Sequence, residues 1–164
     1  MGTGKSVVGK VLEEKTGLHR FDTDEMISSK SEMPIDEIFT TQGESHFRNL
    51  ETETLRSISL DKPAIITTGG GIILRAANID LLRQLGTVVW LDADRATLRA
   101  RIRDPSDRPL LRTANPEATL AELLAAREPL YRRAADLRVD ILQKNPEQIA
   151  ELILENIGNC PVGE

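Results

Sequence analysis

The opening stretch Met1-Gly2-Thr3-Gly4-Lys5-Ser6 constrains the fold more than any other part of the chain. Two glycines, a lysine and a hydroxyl residue lead straight into apolar positions at helical spacing, which reads as the back half of a phosphate-binding loop running into a helix. Glycines at 2 and 4 let backbone N–H groups turn inward toward an anion, and the positive end of the following helix adds to that pull. In this reading Lys5 reaches the β- and γ-phosphates of a nucleotide and the Ser6 hydroxyl sits on Mg²⁺. The same string also serves as an ordinary turn, and the first glycine of the full motif would fall before residue 1, so the rest of the chain has to decide.

Downstream, strand-like and helix-like segments alternate. Val7, Val8, Val11 and Leu12 predict a helix over 7–15 that Gly17 stops. A short strand over 18–21 ends at Asp22-Thr23-Asp24, and open α/β sheets put chemistry at such strand ends. Two short helices follow over 25–31 and 35–41, separated by Met33-Pro34, and then a longer one over 44–59 with Phe47, Leu50, Leu55 and Ile58 inward. The β-branched run over 64–68 reads as a buried parallel strand ending directly in Gly69-Gly70-Gly71. A helix over 76–84, a strand over 87–91 that ends at Asp92 and a helix over 94–103 continue the pattern. Residues 104–116, with three prolines, four charged residues and the Leu110-Leu111 pair, read as a functional lid. A helix over 119–128, kinked or interrupted at Pro129 and continuing through Tyr131 to 135, precedes a strand over 139–142. Asn145-Pro146-Glu147-Gln148 has the order of an N-cap, proline at the first helical position and an amide at the third, so a last helix runs to about 156. Such alternation predicts a doubly wound parallel sheet with helices on both faces.

Composition narrows the partners. With 21 basic and 26 acidic residues in 164, the net charge is −5 and no long basic run is present, which argues against nucleic-acid binding. No apolar run approaches a membrane span and no signal-peptide pattern opens the chain, so a protein that does not engage membranes is expected, in the cytoplasm or, after removal of a targeting segment, in an organelle. A single cysteine, Cys160, makes neither an internal disulfide nor a metal cluster.

The loop at 2–6, Asp22 and Asp24, the glycines at 69–71 and arginines near 48, 108 and 127 converge on one crevice if the sheet is as described. Phosphoryl transfer needs this set: a cradle and a lysine for phosphates, a carboxylate for Mg²⁺ and another to orient the attacking hydroxyl. Simpler readings exist for each member. Asp22 and Asp24 would cap the next helix, Arg48 would pair on its surface, and Arg132 and Arg133 are a solvated helix face. His19 and His46 lack metal-ligand spacing, and Trp90 belongs to the core.

Gly-Thr-Gly-Lys-Ser, Phe21-Asp22-Thr23-Asp24, Phe39-x-x-x-Gly43-Glu44-x-x-Phe47-Arg48-x-x-Glu51, Thr68-Gly69-Gly70-Gly71, Arg108-Pro109-Leu110-Leu111 and Arg127-x-Pro129-Leu130-Tyr131 together resemble shikimate kinase, in order and spacing, to about residue 157. The resemblance implies a P-loop kinase domain over 1–158 of the nucleoside-monophosphate-kinase-like class, with a lid at about 103–116 and a loose tail at 159–164. It implies transfer of the ATP γ-phosphate to the 3-hydroxyl of shikimate, with Mg²⁺ as cofactor and a monomeric state. Lys5, Asp24 and Arg108 would be catalytic, and Asp24, Arg48, Gly70, Gly71 and Arg127 would bind shikimate. Gly2, Thr3, Gly4, Lys5, Ser6, Arg101 and Arg108 would bind ATP, and Ser6 and Asp22 would hold the metal. Kinases of other hydroxy acids such as gluconate, and a non-catalytic binding relative, are the alternatives. Family members carry an apolar strand before the glycine loop, in the middle of a sheet of order 2-3-1-4-5. That strand is lacking here, so an internal methionine as the start and a chain extending upstream are expected.

Overall fold

The computed structural model describes residues 2–94, 96–98 and 113–157. In chain order these form α1 (Lys5–Thr16), β1 (His19–Asp22), α2 (Thr23–Ser31), α3 (Ile35–Thr41), α4 (Gly43–Ser57), β2 (Ala64–Thr67), a 3₁₀ turn (Ile72–Leu74) and α5 (Ala76–Leu85). They continue with β3 (Val89–Asp92), α6 (Pro116–Ala134), β4 (Leu137–Asp140) and α7 (Pro146–Ile157). The helix starts are set by local chemistry. Asn145 Oδ1 accepts from the Gln148 N–H at 2.8 Å while Gln148 Oε1 accepts from the Asn145 N–H at 3.0 Å, a reciprocal cap that opens α7. Asn115 likewise caps α6, with Pro116 at the first helical position.

Two predicted boundaries are corrected. Pro129 does not interrupt its helix: α6 runs through it as one element to Ala134. Proline removes one helical hydrogen bond, but Leu130, Tyr131 and the buried Ala134 beyond it pack into the core around Leu55, Ile72, Ile73 and Ile79, and that burial outweighs the local penalty. The last strand is Leu137–Asp140 rather than 139–142. Period-two alternation turns Leu137 and Val139 toward the core, and Ile141 is buried just past the strand end.

Within each pair the strands run parallel. β1 pairs with β2 in the register His19↔Ala64 to Asp22↔Thr67, and β3 pairs with β4 from Val89↔Leu137 to Asp92↔Asp140. The two pairs are separate two-stranded sheets, because β2 and β3 do not hydrogen-bond to one another. A cavity of about 650 Å³ opens between them, lined by Ala64 and Ile66 of β2, by Val89, Trp90 and Leu91 of β3, and by Thr3 and Lys5 at one end. Ile65, Ile66, Val89 and Trp90 line or flank this opening and are only half-buried, so Trp90 stands at the cavity wall rather than in the core expected from the sequence.

Helices bridge the gap. α1 packs on β2 and on α7, and one apolar cluster joins Val8 of α1 to Leu91, Val139, Ile149 and Ile153. A second cluster unites α4, α5 and α6 through Leu55, Ile79 and Ala134, and a third locks α2, α3 and α4 through Ile27, Ile38 and Phe47. Asp22 and Thr67 end their paired strands beside the start of α1, where Ser6 and Thr67 both donate to Asp22, and Asp92 at the end of β3 lines the same cavity as Thr3 and Lys5.

Candidate active site

Gly4 adopts φ 78°, ψ 23°, the left-handed conformation that places it as the N-cap of α1 without a side-chain bond. Only glycine holds that geometry cheaply, so the first N–H groups of α1 are left facing outward for an anion. Lys5 Nζ donates to Thr3 Oγ1 at 3.3 Å across the mouth of this loop.

Behind the loop stands Asp22. Its Oδ1 accepts from the N–H groups of Asp24 and Glu25 at 3.1 and 3.4 Å, so the carboxylate does cap α2, as the simpler reading held. Its Oδ2 takes three further donors: Thr67 Oγ1 at 2.8 Å, Arg20 Nη1 at 3.0 Å and Ser6 Oγ at 3.2 Å. The two functions coexist because each oxygen serves one of them. Ser6 and Asp22 thus supply a hydroxyl and a carboxylate oxygen side by side, hard donors that fit Mg²⁺, which characteristically takes one or two protein ligands alongside phosphate oxygens. Arg20 and Thr67 were not foreseen. Arg20 is half-buried and pairs with Asp22, Glu25 and Glu13, a cluster that only the β1–β2 pairing and the packing of α1 assemble.

The second half of the site lies on α4, α6 and the glycine turn. Arg48 is buried; its Nη1 donates to Glu51 at 2.7 Å, its Nη2 to Glu44 at 2.8 Å, and the rings of Phe47 and Phe39 lie 5.3 and 5.9 Å away. These contacts hold the guanidinium in one orientation. Glu51 is completely buried. Burial pushes its carboxyl above the usual range, the Arg48 pair pulls it back, and Asp24 and Arg127 both lie close enough to act on it. Arg127 is itself 4% exposed, which marks it as built into the interior rather than a solvated face, while Arg132 and Arg133 are exposed as expected. Glu51 Oε1 and Arg127 Nε are buried without a hydrogen-bond partner among the described residues, and interior polar atoms left this way are the ones a polar ligand completes.

The glycines fit around these groups. A Cβ on Gly69 would stand 2.8 Å from Asp24 Oδ1 and 3.2 Å from Glu51 Oε1, and one on Gly71 would stand 2.6 Å from Arg48 Cζ. Bare backbone is therefore what allows Asp24 and Arg48 to close on the turn. Of the residues foreseen, the structure brings Thr3, Gly4, Lys5, Ser6 and Asp22 together at the loop, and Asp24, Arg48, Gly70, Gly71 and Arg127 around the turn. Arg101, Arg108 and nearly all of the lid at 103–116 lie outside the described residues, as does the tail at 159–164. Glu51 sat inside a motif but was assigned no role, although its i,i+3 spacing from Arg48 on an amphipathic helix signals an ion pair.

The family model for shikimate kinase matches residues 1–158. A shikimate kinase of Thermodesulfovibrio yellowstonii is 41% identical over 155 residues, which is 94% of this chain and 89% of that protein. One of Sulfurihydrogenibium sp. is 39% identical over 157 residues, 96% of this chain and 93% of its own. A solved shikimate kinase of Acinetobacter baumannii, in complex with shikimate, superimposes with a TM-score of 0.93 at 36% identity, covering 99% of this chain and 91% of that one.

Proposed function

This chain belongs to the shikimate kinase family, and on that premise we propose that it transfers the γ-phosphoryl group of ATP to the 3-hydroxyl of shikimate, in the route to chorismate and the aromatic amino acids. The observation that carries the reading is the constellation of buried Arg48, Glu51 and Arg127 with Asp24 at the glycine turn, one strand away from the phosphate loop. It offers one place for a small carboxylate-bearing alcohol beside one place for a triphosphate.

The division of labour follows from the groups. Backbone N–H groups of Gly2, Thr3, Gly4, Lys5 and Ser6 cradle the phosphates, and the Lys5 ammonium neutralises charge on the transferring group. Arg48 and Arg127 grip the shikimate carboxylate, since planar guanidinium forks match a carboxylate and fix a small ligand's orientation. Gly70 and Gly71 meet the ring through bare backbone. Asp24 accepts the hydrogen bond of the 3-hydroxyl and takes its proton as that oxygen bonds to the γ-phosphorus and the bond to the ADP oxygen breaks. Ser6 and Asp22 would hold Mg²⁺, which would add positive charge beside the phosphates. Arg101 stacks near the adenine, and Arg108 comes in with a lid at 103–116 that excludes water from the phosphoryl group. The unit acts as one catalytic domain over 1–158 with a loose tail at 159–164. It works as a cytoplasmic monomer on small molecules, without nucleic-acid or membrane partners; among the described residues no helix is long and apolar enough to cross a membrane.

Calorimetric titration with shikimate and with gluconate tests this reading. Shikimate should bind to the wild type and lose its affinity when Arg48 or Arg127 becomes alanine, with gluconate inert. Equal heats from both acids would overturn it.

A further inference from the structure

The stretch Arg127-x-Pro129-Leu130-Tyr131 enters the functional reading through Arg127 alone, yet Tyr131 stands one helical turn further along the same helix and faces the same turn. Its hydroxyl donates to the Gly70 carbonyl at 2.5 Å. The flanking glycines are the two whose bare faces abut Asp24 and Arg48. The Arg127 guanidinium is close enough to act on the phenol oxygen. Behind the phenol, the Trp90 ring stacks at 5.8 Å with an interplanar angle of 20°, and the Arg138 guanidinium lies 5.2 Å from that indole while binding Asp92. The ring is thus braced from β3 and β4, and one hydroxyl joins the glycine turn to the helix that carries Arg127.

We propose that Tyr131 is a positioning residue for shikimate: by tying the Gly70 carbonyl to α6 it sets the distance between the two arms of the carboxylate clamp, Arg48 across the turn and Arg127 on the helix. The proposal rests on the functional reading above and adds a residue that need not touch either substrate. A hydrogen bond from α6 is the only polar link this ring has to the turn among the described contacts. With it gone, the glycine turn is held to α6 only through the apolar packing of Ile72 and Ile73, and a two-point grip on a carboxylate is sensitive to shifts well under 1 Å.

Tyr131→Phe removes the donor and keeps the ring that stacks on Trp90. Steady-state kinetics should show the shikimate KM raised about tenfold with the ATP KM within about twofold of wild type. A purely structural role would instead lower the Tm and weaken both substrates together, and that result would overturn the proposal, as would an unchanged shikimate KM. A second measurement needs no variant. Tyr131 is the one tyrosine and Trp90 the one tryptophan of the chain. Shikimate titrated into the wild type should therefore shift Trp90 fluorescence with the midpoint found by calorimetry. Calorimetric binding with no fluorescence change overturns the role of Tyr131 and leaves the functional reading standing; absence of calorimetric binding overturns the functional reading itself.

Discussion

Gly71→Ala is a one-carbon perturbation whose consequence the structure fixes closely. Gly71 has φ −92°, ψ −4°, so alanine is at home in the backbone and no strain arises there. The new methyl would overlap Arg48 Nη1 and stand 2.6 Å from Cζ, and ordinary van der Waals contact begins near 3.4 Å, so the guanidinium must retreat by about 1 Å. It has little freedom to do so, being tied to Glu51 at 2.7 Å and to Glu44 at 2.8 Å and lying against two phenylalanine rings. A displaced fork sacrifices a charge-assisted bond to its ligand, roughly 1.5–3 kcal/mol, or about 10- to 100-fold in shikimate affinity. Gly69→Ala makes the matched contrast. Its methyl would press on Asp24 Oδ1 from 2.8 Å, so it should act on turnover, lowering kcat by roughly 100-fold while the shikimate KM moves less. A coupled assay for ADP, run against each substrate in turn with circular dichroism on both variants, reads the split. A wild-type shikimate KM in Gly71→Ala, or the same KM and kcat changes in both variants, would refute the account of the turn.

Asp24→Asn should keep the fold and ATP binding while cutting turnover by roughly 10²- to 10⁴-fold, which single-turnover kinetics would register. Arg127→Ala should weaken shikimate and leave ATP affinity little changed in calorimetry; the reverse pattern would put the clamp on the wrong ligand. Burial holds the Tyr131 phenol above its ordinary value, so phenolate absorbance should rise at higher pH in the folded chain than in urea. In that window, above about pH 10, the folded chain binds more protons than the unfolded one, so stability should fall as pH rises through it. A segment of four or five β-branched residues joined ahead of Met1 should enter the cavity between β2 and β3, pair with both free edges and raise the Tm by several degrees, as scanning calorimetry would show.

Most of the architecture was legible because it is written locally. Gly17 ends α1, Asn145 with Gln148 opens α7, and the β-branched run before Gly69 could be little else than a buried strand. Pro129 left a kink and an interruption both open because its local penalty says nothing of the core contacts of Leu130, Tyr131 and Ala134 beyond it, which keep the helix continuous. In the site, residues of one chemical type at one sequence spacing were readable: the loop at 2–6, Asp22, Asp24, Arg48 and Arg127. Their supports were not. Arg20 and Thr67 meet at Asp22 only because β1 and β2 pair in one register, and Tyr131 reaches Gly70 across 61 positions of sequence. The burial of Glu51 likewise depends on what α2 and α6 bring against α4.

The central claim is phosphoryl transfer to shikimate, and phosphorus NMR of the products formed by this chain from Mg-ATP tests it most directly. The account predicts ADP and a phosphate monoester on the shikimate 3-hydroxyl in equal amounts, formed only when shikimate is present. ADP appearing at the same rate without shikimate, or a phosphate ester formed on gluconate in its place, would contradict it.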